Sequence, residues 1–180
     1  GGAIGGMAYS MLHATDPARS FSKALGEVAS LDVSAEELRL LGQESKAFAM
    51  RFGGDAESVA RSAYDIQSAI PGLAKGALAA FTYQGALLGK AGKSSSETIS
   101  KYMGTMYNIF EEQAQKIGQA KWVDQLTGKT AFAIKMFKTT GDEMSAAFTN
   151  LGSVGQVNGV SIDEQMAVLG VLQGTMGGAN

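Results

Sequence analysis

Apolar residues recur along the chain with the spacing of a helix that buries one side. After Glu97 they fall at Ile99, Tyr102, Met103, Met106, Ile109 and Phe110. This is the i, i+3, i+4, i+7 pattern of an amphipathic helix. Similar stripes begin at Leu38, Val59, Met144 and Met166. No window alternates apolar and polar residues over six positions, as a half-buried strand would. The pattern therefore predicts an all-α fold.

Helix starts are marked by capping boxes. In this motif a Ser or Thr hydroxyl accepts the N–H of the residue three positions on, and a glutamate there reaches back to the N–H of the cap residue. The sequence predicts four, at Ser34 and Glu37, Ser94 and Glu97, Thr140 and Glu143, and Ser161 and Glu164. Each cap stabilises its helix by about 1 kcal/mol. With a further start at Asp16-Pro17, helices are predicted over 3–13, 16–30, 34–52, 55–70, 72–89, 95–117, 120–138, 141–153 and 161–176.

The caps also indicate a weak repeat. Ser34–Glu57 and Thr140–Glu164 share a cap, a glutamate, about one helix, a glycine and a second cap. Helical hairpins of this kind recur in bundled and stacked folds. The sequence therefore predicts a bundle of roughly seven to nine helices with helical-hairpin pseudo-repeats. We divide it into a Gly-rich apolar N-terminal helix over 1–15, part of a longer preceding segment, and a helical core domain over 16–180 of a longer protein.

The composition excludes several kinds of site. Cysteine is absent, which excludes disulfides, thiolate metal sites and cysteine nucleophiles. The one histidine, His13, leaves a zinc ion only carboxylate partners, and no serine is marked as its nucleophile. Adjacent carboxylates such as Glu36 and Glu37 point about 100° apart on a helix, so they form no acid–base dyad. We predict no catalytic residue, no metal site and no cofactor.

Two fragments resemble phosphate-binding loops but lack a required glycine. Gly92-Lys93-Ser94 would need glycine at position 87, which is Leu87. Gly128-Lys129-Thr130 would need it at position 123, which is Val123. The first glycine bends the backbone around the phosphates, so neither fragment can form the cradle. Both are interpreted as helix boundaries.

Charge is unevenly distributed although the net charge is only −2. Residues 86–141 carry eight basic and four acidic groups, whereas residues 142–180 carry four acidic groups and no basic one. The small net charge argues against specific nucleic-acid binding. The asymmetry would suit head-to-tail contact between subunits or between two halves of one molecule. Ordinary solvated faces are the alternative explanation.

The 24 glycines and nine methionines need an explanation, because a glycine inside a helix costs about 1 kcal/mol. Close helix packing, self-association and malleability during assembly are candidates, and a composition bias without function is the alternative. The most apolar run, over 73–88, contains Lys75 and is shorter than the roughly 20 residues of a spanning helix. It motivates an alternative function, a membrane-active helical bundle of the toxin or pore type.

The order of these motifs resembles the core region of phage tail tape measure proteins. The residues that carry the resemblance are Phe21–Leu31, Val33–Leu38, Phe52–Ile66, Leu151–Gly155 and Gly159–Leu172. Each motif alone is a cap or an apolar stripe, and their order and spacing give the resemblance its specificity. It covers roughly residues 18–178. The stretch from Glu111 to Lys138 departs from the family pattern because it is more aromatic.

The resemblance implies a structural, non-enzymatic protein of a phage or prophage virion, several times longer than this chain. Such a protein occupies the lumen of the tail tube, sets tail length and leaves during genome delivery. The resemblance also implies contact with tail tube and tail assembly proteins, homo-oligomerisation, membrane contact during delivery, and presence in the bacterial host cytoplasm during assembly. Because caps and turns fold this region back on itself, we expect a module for docking, initiation or multimerisation rather than the ruler.

Overall fold

The computed structural model describes residues 16–148 and 161–176, and every regular element among them is a helix. The helices are α1 (Asp16–Ala29), α2 (Ala35–Phe52), α3 (Ala56–Ala69), α4 (Ala77–Gly92), α5 (Ser96–Ile109), α6 (Glu111–Ile117), α7 (Gln119–Phe137), α8 (141–148) and α9 (Ile162–Met176). The predicted all-α bundle is confirmed. The predicted N-terminal helix, the end of the helix predicted over 141–153 and part of the second pseudo-repeat lie outside the described residues.

Helix α4 lies at the centre of the bundle, where it packs against α2, α3, α5 and α7. Its buried residues are mostly small or apolar, namely Ala77, Leu78, Ala79, Phe81, Thr82, Gly85, Leu88, Gly89 and Gly92. A helix that is apolar around most of its circumference is typical of a bundle core. A side chain at Gly85 would touch the sulfur of Met103 on α5, so this glycine lets the two helices approach closely.

Three large aromatic side chains join α4, α5 and α7. The rings of Phe81 and Trp122 are stacked with centroids 6.1 Å apart, and those of Tyr107 and Trp122 meet edge to face with centroids 5.8 Å apart. All three are buried. Aromatic pairs contribute about 0.5–1.5 kcal/mol beyond their buried area. Trp122, which belongs to the aromatic stretch that departs from the tape measure pattern, is therefore part of the core.

The helix predicted over 95–117 is two helices. α5 ends at Ile109 and α6 begins at Glu111, with Phe110 between them at φ −116° and ψ 27°. The N–H of Phe110 still donates to the carbonyl oxygens of Met106 and Tyr107. The apolar stripe continues through this turn, so periodicity alone could not reveal the change of helix direction.

The helix predicted over 72–89 begins five residues later and ends three residues later, as α4. The segment between α3 and α4 contains Gly72 and Gly76, with φ values of 84° and 79°. These left-handed conformations favour glycine and interrupt a helix. Leu73 and Ala74 match the helical stripe in sequence but lie in this turn, which we call the α3–α4 loop (70–76).

Candidate functional site

Two predicted caps have both halves of the motif in place. The Thr140 hydroxyl accepts the Glu143 N–H at 3.2 Å, and the Glu143 carboxylate accepts the Thr140 N–H at 2.9 Å. Ser161 and Glu164 make the same pair of bonds, at 3.3 and 2.9 Å. The hydroxyl of Thr139, followed by the N–H and hydroxyl of Thr140, lowers the pKa of Glu143. The N–H and then the hydroxyl of Ser161 lower the pKa of Glu164.

The third cap lies one residue later than predicted. Ser95, not Ser94, precedes α5 in an extended conformation and accepts the N–H of Thr98 at 3.1 Å. Glu97 does not reach back to the cap, because its carboxylate pairs with Lys101 at 2.7 Å on the next turn. This ion pair lowers the pKa of Glu97 and raises that of Lys101.

Ser94 does not cap α5 because its N–H and its hydroxyl are both hydrogen-bonded to the last turn of α4. Lys93 takes the left-handed conformation that ends this helix, at φ 53°. The Ser94 N–H then donates to the carbonyl oxygen of Gly89 at 2.9 Å, and its hydroxyl donates to that of Gly92 at 3.3 Å. Each of Ser94, Ser95 and Ser96 has a hydroxyl that could cap a helix. Ser95 is the cap because the end of α4 engages Ser94.

The fourth predicted pair, Ser34 and Glu37, is divided between two helices. The Ser34 hydroxyl accepts the Glu37 N–H at 3.2 Å and so caps α2. The Glu37 carboxylate turns away from Ser34 and accepts the N–H groups of Gly76 and Ala79, at 2.5 and 3.1 Å. Only 6% of Glu37 is exposed. Glu37 therefore caps the start of α4, where Gly76 has no side chain with which to do so.

The α3–α4 loop is also held by a buried glutamine on α7. The Ala74 N–H donates to Gln119 Oε1 at 2.7 Å, and Gln119 Nε2 donates to the Tyr107 hydroxyl at 2.6 Å. Gln119 is 5% exposed. Sequence analysis missed this residue, since one glutamine at a helix start carries no distinguishing pattern. Together, Glu37 and Gln119 form what we call the loop clamp.

The adjacent carboxylates Glu36 and Glu37, for which the sequence predicts no acid–base dyad, have different partners in the structure. Glu36 pairs with Lys75 at the surface, at 2.9 Å, whereas the neighbouring Glu37 is buried in the loop clamp. Within 16–148 and 161–176, no three or more histidine or acidic residues are grouped so that they could hold a metal ion. His13 lies outside these ranges.

The two phosphate-loop-like fragments occupy different places. Gly92-Lys93-Ser94 ends α4, but Gly128-Lys129-Thr130 lies inside α7, so the boundary predicted there is wrong. Lys129 pairs with Asp163 at 2.7 Å, and Thr130 shares a 2.6 Å hydrogen bond with the buried Tyr102 hydroxyl. Burial raises the pKa of Tyr102. A helix interior has no free N–H groups with which to hold a phosphate.

Among the described residues, α7 and α9 enclose a groove with a mainly apolar lining. It encloses about 430 Å³, and its walls include Phe132, Ala133, Phe137 and Met166. Phe132 and Met136, one turn apart on α7, are 64% and 58% exposed. We call the groove and these exposed side chains the α7–α9 surface.

Across the described helices, none is both long and apolar enough to cross a bilayer. The apolar run over 73–88 contributes its last twelve residues to α4, which has 16 residues in all. The run is therefore divided between the α3–α4 loop and the central helix of the bundle.

Comparison with known proteins gives one family. The model of a family described as phage-related minor tail protein matches residues 42–180, from the middle of α2 to the end of the chain. This is well over half of the sequence. No curated protein and no solved structure gives a significant match.

Proposed function

The chain belongs to the phage-related minor tail protein family, and on that basis we propose that it is the folded core region of a tape measure protein. Membership points to a structural, non-enzymatic role in a phage tail and to contact with other tail components. The finer assignment rests on the resemblance that begins at Phe21–Leu31 and ends at Gly159–Leu172, in an order typical of tape measure cores.

The observation that carries the proposal is that the chain folds back on itself around α4. The loop clamp joins Glu37 to Gly76 and Gln119 to Ala74, across 39 and 45 positions of sequence. A ruler extended as one helix gains about 1.5 Å per residue. A bundle whose central helix is covered by four others is much shorter than one extended helix with the same number of residues. We therefore assign this region, residues 16–180, to docking or initiation of tail assembly rather than to length measurement.

In this proposal the module works inside the tail tube, against tube subunits and tail assembly proteins. It is loaded in the bacterial cytoplasm during assembly and leaves with the rest of its protein at genome delivery, the stage at which membrane contact is made. Contact surfaces, rather than reactive groups, then carry the function.

Tail length in the phage that encodes the chain tests this assignment. An in-frame deletion of residues 34–176 would shorten intact tails by about 215 Å if the region were part of the ruler. A docking or initiation module predicts that no tails form, or that tails have scattered lengths. Infectious particles of unchanged tail length would overturn both assignments. Electron microscopy of purified particles gives the measurement.

A point variant tests whether tail assembly needs the folded bundle, without changing the length of the chain. Trp122→Asp places a charge at a position that is 1% exposed, and the cost of removing this charge from water unfolds the bundle. Lys121→Asp changes the exposed neighbouring residue and serves as the control. A docking module predicts defective tails with Trp122→Asp and normal tails with Lys121→Asp. Normal tails with both variants would contradict the need for a folded bundle.

A further inference from the structure

A cavity of about 260 Å³ lies beside the end of α2 and the starts of α3 and α5, with α4 along one side. Its buried lining is apolar and consists of Val59 and Ile66 on α3, Gly85 on α4 and Ile99 on α5. The other lining residues include several serines and two charged side chains. A concave, mostly apolar surface with a few polar groups is typical of sites for small ligands.

One buried hydroxyl in this cavity lacks a hydrogen-bond partner in the part of the chain that the structure describes. Ser100 on α5 lines the cavity and is only 3% exposed, yet its hydroxyl makes no hydrogen bond to any described residue. Ser45 on α2 is also buried, and its hydroxyl donates to the carbonyl oxygen of Leu41 at 2.8 Å. Buried hydroxyl groups in folded proteins are normally paired in this way. The hydroxyl of Ser100 is therefore available to a ligand.

Two further serines in the lining already donate their protons within the protein. The Ser62 hydroxyl donates to the carbonyl oxygen of Val59 at 2.8 Å, and the Ser58 hydroxyl donates to the carboxylate of Asp55 at 3.0 Å. A hydroxyl has one proton, so these two oxygens have only acceptor capacity left for a ligand. This side of the cavity therefore favours a ligand that brings its own hydrogen-bond donors.

The two charged side chains in the lining have opposite signs. The Glu57 N–H lowers the pKa of Asp55, so this carboxyl is ionised at neutral pH. The ammonium group of Lys90 donates to the carbonyl oxygen of Phe52 at the end of α2. An anionic ligand would be repelled by Asp55, and a cationic one by Lys90. A neutral ligand meets neither repulsion, and its hydroxyl groups can donate to the carboxylate and accept from the ammonium group.

We propose that this cavity binds one ring of a neutral sugar. Sites for drug-sized ligands measure about 300–1,000 Å³, so the smaller cavity suits a single sugar ring. The hydroxyl of Ser100 bonds one sugar hydroxyl, and the carboxylate of Asp55 accepts from another. The apolar C–H face of the ring lies against Ile66 and Ile99. A free monosaccharide and the terminal residue of a glycan share this chemistry. The inference goes beyond the proposed function and does not depend on it.

Titration of the 180-residue chain with sugars tests the proposal directly. The probes are glucose, galactose, mannose and N-acetylglucosamine, and NMR follows the amide signals of Ser100 and Gly89, which both line the cavity. At least one probe is expected to shift these signals to saturation, with a dissociation constant of about 10 mM or below. If none of the four gives a saturable shift at concentrations up to about 100 mM, the proposal is wrong.

Ser100→Ala removes the unpaired hydroxyl and is expected to raise the dissociation constant of the sugar about three- to tenfold. Ser45→Ala is the matched control, because Ser45 lies outside the cavity, and it should leave the dissociation constant unchanged. Both variants gain the helix propensity of alanine, but only Ser45→Ala loses a hydrogen bond, so Ser100→Ala should have the higher urea midpoint. An unchanged dissociation constant together with a lower midpoint in Ser100→Ala would make Ser100 merely structural and overturn the proposal.

Charged derivatives of the sugar that binds most tightly test the chemical class. Its 6-phosphate and its 2-amino form are both expected to bind at least about threefold more weakly, because each meets a like charge at Asp55 or Lys90. Equal or tighter binding of either derivative would contradict a site for neutral sugars. A trisaccharide that ends in the same sugar distinguishes the two sources, since tighter binding than that of the monosaccharide supports a glycan and weaker binding supports a free sugar.

Discussion

The carboxylate of Glu37 accepts the N–H of Gly76, so a residue in the first turn of α2 caps the start of α4, 39 positions later. The same carboxylate accepts the N–H of Ala79. A buried carboxylate is costly unless its oxygens are hydrogen-bonded, and here each oxygen accepts an N–H. The positive end of the α4 dipole adds a favourable interaction. One side chain thus satisfies the start of the central helix and ties it to α2.

Replacing Glu37 by glutamine is expected to lower the free energy of unfolding by about 1–3 kcal/mol. Glutamine has one acceptor oxygen, and its NH₂ group would face a backbone N–H. Glu36→Gln is the matched control, because Glu36 is exposed and makes only a surface ion pair with Lys75. The free energy of unfolding of Glu36→Gln is expected to lie within about 1 kcal/mol of the wild-type value. Urea unfolding of both variants measures the difference, and equal effects would show that Glu37 does not cap α4.

Sequence periodicity could predict most helices because each buries one continuous stripe. It could not predict the turn at Phe110, since apolar residues continue through it. It also placed Leu73 in a helix, although Gly72 and Gly76 turn the backbone there. A sequence motif identifies only partners that are close in sequence. It therefore predicts that the Glu37 carboxylate accepts the Ser34 N–H, whereas in the structure it accepts the Gly76 N–H.

The sequence could not predict the groove between α7 and α9 either, because the groove depends on contacts between distant helices. Phe132 and Phe137 were visible as aromatic residues, but a helical stripe does not tell which of them is covered by another helix. The structure leaves Phe132 exposed and places Phe137 against Gly170. Which of the two rings is covered depends on where α9 packs, and that position is set by tertiary contacts rather than by the local sequence.

The α3–α4 loop is expected to open when Gln119 is replaced by leucine. The Ala74 N–H then loses its acceptor, and amide hydrogen exchange at Ala74 should accelerate at least about tenfold, a loss of about 1.4 kcal/mol. Gln115→Leu is the control, because Gln115 donates to the same Tyr107 hydroxyl at 3.0 Å, whereas the Ala74 N–H donates to Gln119. Unchanged exchange at Ala74 in Gln119→Leu would remove Gln119 from the loop clamp.

Two helical glycines are expected to respond oppositely to alanine. A Cβ at Gly104 on α5 would lie 3.0 Å from the Cβ of Ala69 on α3, so Gly104→Ala should separate the helices and destabilise the fold by about 1–3 kcal/mol. Gly26 on α1 has no such neighbour within 4 Å. Gly26→Ala should therefore stabilise by about 0.5–1 kcal/mol. Thermal unfolding compares them, and stabilisation by both would mean that Gly104 is not needed for close packing.

The cap at the start of α8 is expected to make stability depend on acid pH through Glu143. Hydrogen bonds from the Thr139 hydroxyl, then from Thr140, hold the pKa of Glu143 below its usual value. The folded state therefore binds this proton more weakly than the unfolded state. The resulting stabilisation is present above the ordinary glutamate pKa, about 4.3, and is lost as pH falls through the lower folded value.

Thr139→Val removes the largest of these hydrogen bonds while preserving shape, so it should raise the pKa of Glu143 towards its ordinary value. The variant should be less stable than wild type at about pH 7, and the difference should shrink at an acid pH below the lowered pKa of folded Glu143, where the carboxyl is protonated in both folded and unfolded states. Carboxyl NMR titration gives the pKa, and urea unfolding at the two pH values gives the stability. Glu164, held by Ser161 in another cap, is the internal control and should keep its pKa. A shift at Glu164 equal to that at Glu143 would point to a global change in the fold rather than to the loss of one hydrogen bond.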